Sequence, residues 1–226
     1  MKGMKTMQLL NILGPVMIGP SSSHTAGAAR IGRIAYRLLG ETVARAEIAF
    51  HGSFAKTGSG HGTDRAVVGG LMDMETSDER LRDSIELAKQ AGMEIIFRSE
   101  EMKNAHPNTV KLNLTGAGGK QLEMVAASVG GGSVEVREID GLPISFKGDA
   151  HTLIISHLDA PGTIASVSSL LAGASVNIAT MKVARQAVGR RAVMVLELDV
   201  LPDEAIVGAL RAMTNISSVT LLKKLV

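Results

Sequence analysis

The sequence contains no cysteine and no tryptophan, and only one tyrosine and four phenylalanines. Without a thiol the chain can build no disulfide scaffold, no thiolate nucleophile and no cysteine-ligated zinc or iron–sulfur cluster of its own. The same absence fits a reducing, cytoplasmic setting. The scarcity of rings removes the stacking platforms on which single-stranded nucleic acids are held. The 24 Lys and Arg are interspersed with 22 Asp and Glu, for a net charge of +2, so no basic stripe follows a phosphate backbone. No run reaches the roughly eighteen uninterrupted apolar residues of a membrane span. Lys2, Lys5, the apolar run from Met7 to Ile18 and Ala26-Gly27-Ala28 mimic parts of a secretory signal. Asn11, Gly14 and Pro15 interrupt that run, however, and cleavage would discard the hydroxyl cluster that follows it.

What the chain does have is length and apolar content: 226 residues, 45% hydrophobic, enough for two modest domains with real cores. Its densest chemistry is Gly19-Pro20-Ser21-Ser22-Ser23-His24-Thr25-Ala26-Gly27. Here hydroxyls crowd an imidazole just ahead of a helical pattern carrying Ala28, Ile31, Ala35 and Leu38 on one face and ended by Gly40. The first N–H groups of a helix lack partners and mark the positive end of its dipole. Ser21, Ser22, Ser23 and Thr25 therefore suit either of two uses, capping the helix or cradling a small anion, with His24 adding a group that titrates near neutral pH.

Alternation from Val43 to Phe50 predicts a half-buried strand, and a Gly-rich loop is expected from His51 to Gly62. Within and after that loop, Gly58-Ser59-Gly60-His61-Gly62-Thr63-Asp64-Arg65 forms a second cluster, in which Asp64 is placed to orient His61 or to bind an ammonium group. It is neither a phosphate-binding Walker loop, which ends in Gly-Lys-Ser/Thr, nor a dinucleotide fingerprint, whose glycine spacing differs. Thr63 caps a helix with Val67, Val68, Leu71 and Met72, and Thr76-Ser77-Asp78 opens another that Gly92 ends. Strand patterns follow at 94–98, 109–115, 122–129 and 134–139, so the first domain, taken as residues 1–148, reads as mixed α+β. His106-Pro107-Asn108-Thr109 and Ser128-Val129-Gly130-Gly131-Gly132-Ser133 read as a turn and a bulge. The six histidines show no short-spaced pairing of the kind zinc favours.

From residue 149 to 226 the pattern is strand, helix, strand, strand, helix, strand, the ferredoxin-like βαββαβ plan. Its first helix, after Pro161-Gly162, has an apolar stripe at Ile164, Val167, Leu170 and Leu171.

Taken together, the Gly19–Gly27 segment, Gly60-His61-Gly62-Thr63-Asp64-Arg65-Ala66, His106-Pro107-Asn108-Thr109 and Ser128-Val129-Gly130-Gly131-Gly132, in that order, resemble the β chains of the two-chain iron–sulfur L-serine dehydratases. The resemblance spans nearly the whole chain. It implies a first domain similar to the allosteric substrate-binding domain of phosphoglycerate dehydrogenases. It also implies a C-terminal ACT domain, a regulatory amino-acid-binding module, in which Asp159, Gly162 and Asn177 stand where a ligand is held between two copies. It further implies a [4Fe-4S] cluster ligated by a partner α chain, not by this one, and conversion of L-serine to pyruvate and ammonia in serine catabolism and gluconeogenesis. In that setting Ser22, Ser23 and Thr25 position the substrate, His24, His61 and Asp64 handle protons or bind ammonium, and the ACT domain dimerises within a hetero-oligomer. The alternative is a regulatory amino-acid binder without chemistry, for which two histidine-bearing clusters in one domain have no evident use.

Overall fold

The computed structural model describes residues 17–19 and 21–224; the apolar run from Met7 to Val16 and Pro20 lie outside the described residues. The chain divides into two units at Val136/Arg137.

In the first unit a π-helical turn, Ser22–Gly27, leads into α1 (Ala28–Leu39). Gly40 closes α1 in the left-handed conformation, as its position past the last apolar residue predicts. Ile31, Ile34, Ala35 and Leu39 are the residues turned to the core, so the buried stripe passes through Leu39 and leaves Leu38 only half-buried. Strand β1 (Val43–Phe50) occupies the expected span. Helices α2 (Gly52–His61), α3 (Thr63–Leu71) and α4 (Ser84–Gln90) follow, the last preceded by a 3-10 turn, Glu79–Asp83, whose N-cap is the carboxylate of Asp78. Strands β2 (Glu94–Ser99), β3 (Thr109–Gly116) and β4 (Gln121–Gly130) complete a sheet of order β2-β1-β3-β4, and β5 (Ser133–Ile139) comes next after β4. β1 runs parallel to β2 and antiparallel to β3.

One expectation fails here. The segment His51 to Gly62 is a helix over most of its length, not a Gly-rich loop. Glycine lowers helix propensity by only about 1 kcal/mol per residue, a deficit that tertiary packing overrides. The packing comes from Phe54, which is 1% exposed and meets Phe50 edge-on at a centroid distance of 6.1 Å. At the start of the helix Gly52 has φ +57° and lies against Pro107, so close that a Cβ would stand 2.6 Å from the Pro107 carbonyl oxygen. At its end Gly62 turns left-handed, φ +70°, and separates α2 from α3.

In the second unit the end of β5 turns through Asp140-Gly141, both at positive φ, into β6 (Leu142–Phe146). β6 was not expected from the sequence, because Pro143 interrupts what would otherwise read as a strand. There follow β7 (His151–Leu158), α5 (Thr163–Gly173), β8 (Ile178–Arg185), β9 (Arg191–Leu198), α6 (Glu204–Arg211) and β10 (Ile216–Leu222). The order β10-β7-β9-β8, antiparallel throughout, is the ferredoxin-like arrangement the periodicity predicts. Val167 and Leu171 of α5 join Leu153, Ile155, Met194 and Leu196 in the core, whereas Ile164, read as part of the apolar stripe, is 45% exposed.

Candidate functional site

Ser21 is the residue that caps the turn carrying His24. Its Oγ accepts the His24 backbone N–H at 3.2 Å, while its carbonyl accepts the Thr25 N–H at 2.9 Å. Ser22 and Ser23, the expected substrate ligands, are half-buried on the same turn, and Thr25 is buried. Of these hydroxyls, Ser21 is the one committed to capping the backbone, and Ser22 and Ser23 stand beside it on the same turn.

The turn delivers His24 onto α2. Its Nε2 lies 3.1 Å from Ser53 Oγ and 3.1 Å from Thr57 Oγ1, and its Nδ1 lies 3.4 Å from Ser21 Oγ. The ring packs edge-on to Phe54 at 5.3 Å and tilted to His61 at 5.1 Å, measured between centroids. Burial, and secondarily the charge of the neighbouring His61, hold the His24 imidazole below the ordinary histidine range, so it is the neutral ring that this environment favours. Thr25 Oγ1 donates to the His61 carbonyl at 3.3 Å, a second link between the two clusters that are 36 positions apart in sequence.

His61 points its Nδ1 at the Thr57 carbonyl, 3.2 Å away. Asp64 is not its partner: the Asp64 carboxylate accepts the Arg65 backbone N–H at 2.8 Å, at the first turn of α3. The structure therefore joins His24, His61, Thr25 and the serines, and leaves Asp64 beside them on the next helix.

Next to His61 a cleft of about 320 Å³ opens, lined by Gly19, Thr25, His61, Arg65 and Arg82 among others. The volume suits a small polar molecule, and the two exposed guanidiniums are the natural complement of a carboxylate. The sequence places Arg65 in the second cluster without giving it a role, and it does not point to Arg82, Ser53 or Thr57. A signal for the last two existed: Ser53, Thr57 and His61 repeat at intervals of four and share one helical face once the segment is read as a helix. Among the described residues no group of three or more His, Asp and Glu side chains is placed to hold a metal ion, and no helix is long and apolar enough to cross a membrane.

In the second unit the three expected ligand residues are engaged separately. Asp159 accepts from Arg185 Nη1 at 3.1 Å and from the Gly189 N–H at 3.2 Å, which ties it to the β8–β9 hairpin. Asn177 Nδ2 donates to Asp199 Oδ2 at 2.6 Å. Gly162 is the left-handed residue before α5, with open space on its Cα.

Comparison with known proteins gives two family models in the same order as the units. The one described as "Serine dehydratase beta chain" matches residues 10–87, and the one described as "ACT domain" matches residues 151–215. A probable L-serine dehydratase, beta chain, of Bacillus subtilis (strain 168) is 45% identical over 217 residues, 96% of this chain and 98% of that protein. The L-serine dehydratase, beta chain, of Peptoniphilus asaccharolyticus is 38% identical over 200 residues, 88% of this chain and 90% of that protein. A D-3-phosphoglycerate dehydrogenase of Methanocaldococcus jannaschii is 29% identical over 209 residues, which are 91% of this chain but 38% of the dehydrogenase. The likeness to the dehydrogenase thus extends over both units, in accord with the α+β first domain followed by an ACT domain that the sequence predicts.

Proposed function

Because the chain belongs to the family of L-serine dehydratase β chains, we propose that it supplies one wall of the active site of an L-serine ammonia-lyase, completed by an α chain. The observation that carries this reading is the meeting of His24 and His61, 5.1 Å apart, beside a cleft that also presents Arg65 and Arg82. A site built only to bind an amino acid needs the guanidiniums; it has no use for two imidazoles packed ring against ring beside the cleft.

In the reaction the α-proton of L-serine leaves with a base, the β-hydroxyl departs as water, and the resulting aminoacrylate tautomerises and is hydrolysed to pyruvate and ammonia. Arg65 and Arg82 hold the substrate carboxylate, Ser22, Ser23 and Thr25 fix its orientation, and His24 and His61 take up and return protons. Asp64, at the mouth of α3, faces the ammonium group. With no cysteine in its sequence this chain has no thiolates to ligate a [4Fe-4S] cluster. Its residues do not fit that group, and the cluster of this reading belongs to the partner chain. The ACT domain, with Asp159, Gly162 and Asn177, binds an amino acid across a dimer of ACT domains and adjusts the rate. The complex works in the cytoplasm, in serine catabolism and gluconeogenesis.

The test is anaerobic purification of this chain with its companion, followed by assay for pyruvate from L-serine. Pyruvate formed by the pair and by neither chain alone supports the split lyase. A chain that binds L-serine, has no companion and yields no pyruvate would make it a regulator instead.

A further inference from the structure

The hydrogen positions around His24 follow from one rule: a carbonyl oxygen can only accept. Thr57 Oγ1 lies 2.9 Å from the Ser53 carbonyl oxygen, and the hydroxyl hydrogen is the one that can bridge that gap. A hydroxyl has a single hydrogen, so in its 3.1 Å contact with His24 Nε2 the Thr57 oxygen accepts, and Nε2 carries the proton. The reverse arrangement, with Thr57 donating to Nε2, would leave two bare oxygens facing each other at 2.9 Å. The other side of the ring agrees. Ser21 Oγ already accepts the His24 backbone N–H, so its own hydrogen is free to point at Nδ1, which has the lone pair to receive it.

His61 is set the opposite way. Its Nδ1 faces the Thr57 carbonyl at 3.2 Å and must donate, which leaves Nε2 bare. Thr57 therefore touches both rings, His24 through its hydroxyl and His61 through its carbonyl.

We propose that Thr57 is a positioning residue that holds His24 and His61 in opposite neutral tautomers, His24 protonated at Nε2 and His61 at Nδ1. Since His61 lines the cleft, its bare Nε2 is the acceptor nearest to that space, and His24 is fixed as the half-buried neighbour whose lone pair, at Nδ1, faces Ser21. The proton-handling role rests on the lyase reading above; the tautomers are a property of the chain alone and are tested without it.

The experiment is the 15N spectrum of the full chain labelled at histidine, at a pH where both rings are neutral, with each ring assigned by its loss in a His→Gln variant. The expected result is Nε2–H for His24 and Nδ1–H for His61. His24 protonated at Nδ1, or His61 at Nε2, would overturn the proposal, and neither result depends on a Thr57 variant folding. Thr57→Val should move His24 toward the Nδ1–H form, because Ser53 Oγ, 3.1 Å from Nε2, is then the hydroxyl left to donate to it, while His61 keeps its tautomer on the unchanged carbonyl. Thr57→Ser should restore the parent spectrum. In the reconstituted complex Thr57→Val should lower kcat on the order of 10²-fold with KM little changed, and Thr57→Ser should recover most of it. An unshifted His24 in Thr57→Val defeats the positioning role, whereas parent-like spectra in an inactive complex would count against the lyase reading only.

Discussion

Gly27 lies against Ser128 so closely that a Cβ on the glycine would stand 2.1 Å from Ser128 Oγ and 2.7 Å from Ser128 Cβ. The π-helical turn bearing His24 is thus seated on β4 by the absence of a side chain. Gly27→Ala should destabilise the chain by about 1–3 kcal/mol, the usual cost of overpacking a filled interior, read as a lower urea midpoint.

Among the described residues Ser128 Oγ is itself buried without a hydrogen-bond partner. Ser128→Ala is expected to be neutral or stabilising by up to about 1 kcal/mol, since it removes an unpaired buried hydroxyl. It should not rescue Gly27→Ala, because the alanine at 128 keeps the Cβ that stands 2.7 Å from the added methyl. Denaturation of the double variant decides this; full recovery would mean that the oxygen alone enforces the glycine.

Gly52 and Gly62 share a left-handed backbone but not their surroundings. A Cβ at Gly62 meets nothing within 4 Å, whereas one at Gly52 runs into the backbone of Pro107. Gly62→Ala should cost about 1–2 kcal/mol, the strain of a left-handed L-residue. Gly52→Ala should cost clearly more. Equal midpoint shifts for the two variants would contradict the ordering.

Acid should weaken the first domain through His24. Burial lowers the affinity of this imidazole for a proton in the folded chain, so in mildly acidic solution the unfolded chain binds more protons, and stability rises with pH. The contribution is complete above about 6.5, the ordinary histidine value, and is lost as pH falls from there through the lower, folded value. His24→Gln should flatten the pH dependence of the urea midpoint in that window; a parallel decline in both proteins would show that His24 is not its source.

His24→Ala should abolish pyruvate formation by the two-chain complex, a fall on the order of 10²–10⁴-fold, while the chain keeps its circular dichroism and its binding to the partner. The N-cap that organises the turn is Ser21, through the His24 backbone N–H, and survives the change.

The fold was largely legible because its strands and amphipathic helices bury one face each. β1 fills the span predicted by alternation, and the second unit keeps every element of the βαββαβ pattern. Two elements escaped for local reasons. Pro143 masked β6, and the glycines near His61 masked α2, whose stability comes from Phe54 packing that no local pattern records. The site was half legible. His24 and His61 stood out as imidazoles among hydroxyls and glycines, but Asp64, adjacent to His61's helix, turned to the Arg65 backbone instead. Ser53 and Thr57 lie 29 and 33 positions from His24, and only the folded chain brings them to its ring.

Helix α2 is framed by Gly52 and Gly62, and between them Ser53, Thr57 and His61 line one face. An α-helix turns about 100° per residue. A single-residue insertion or deletion between Thr57 and His61 would therefore swing the imidazole away from the Thr57 carbonyl even if every side chain were retained. For this stretch of the gene, changes of length are less tolerable than most changes of letter.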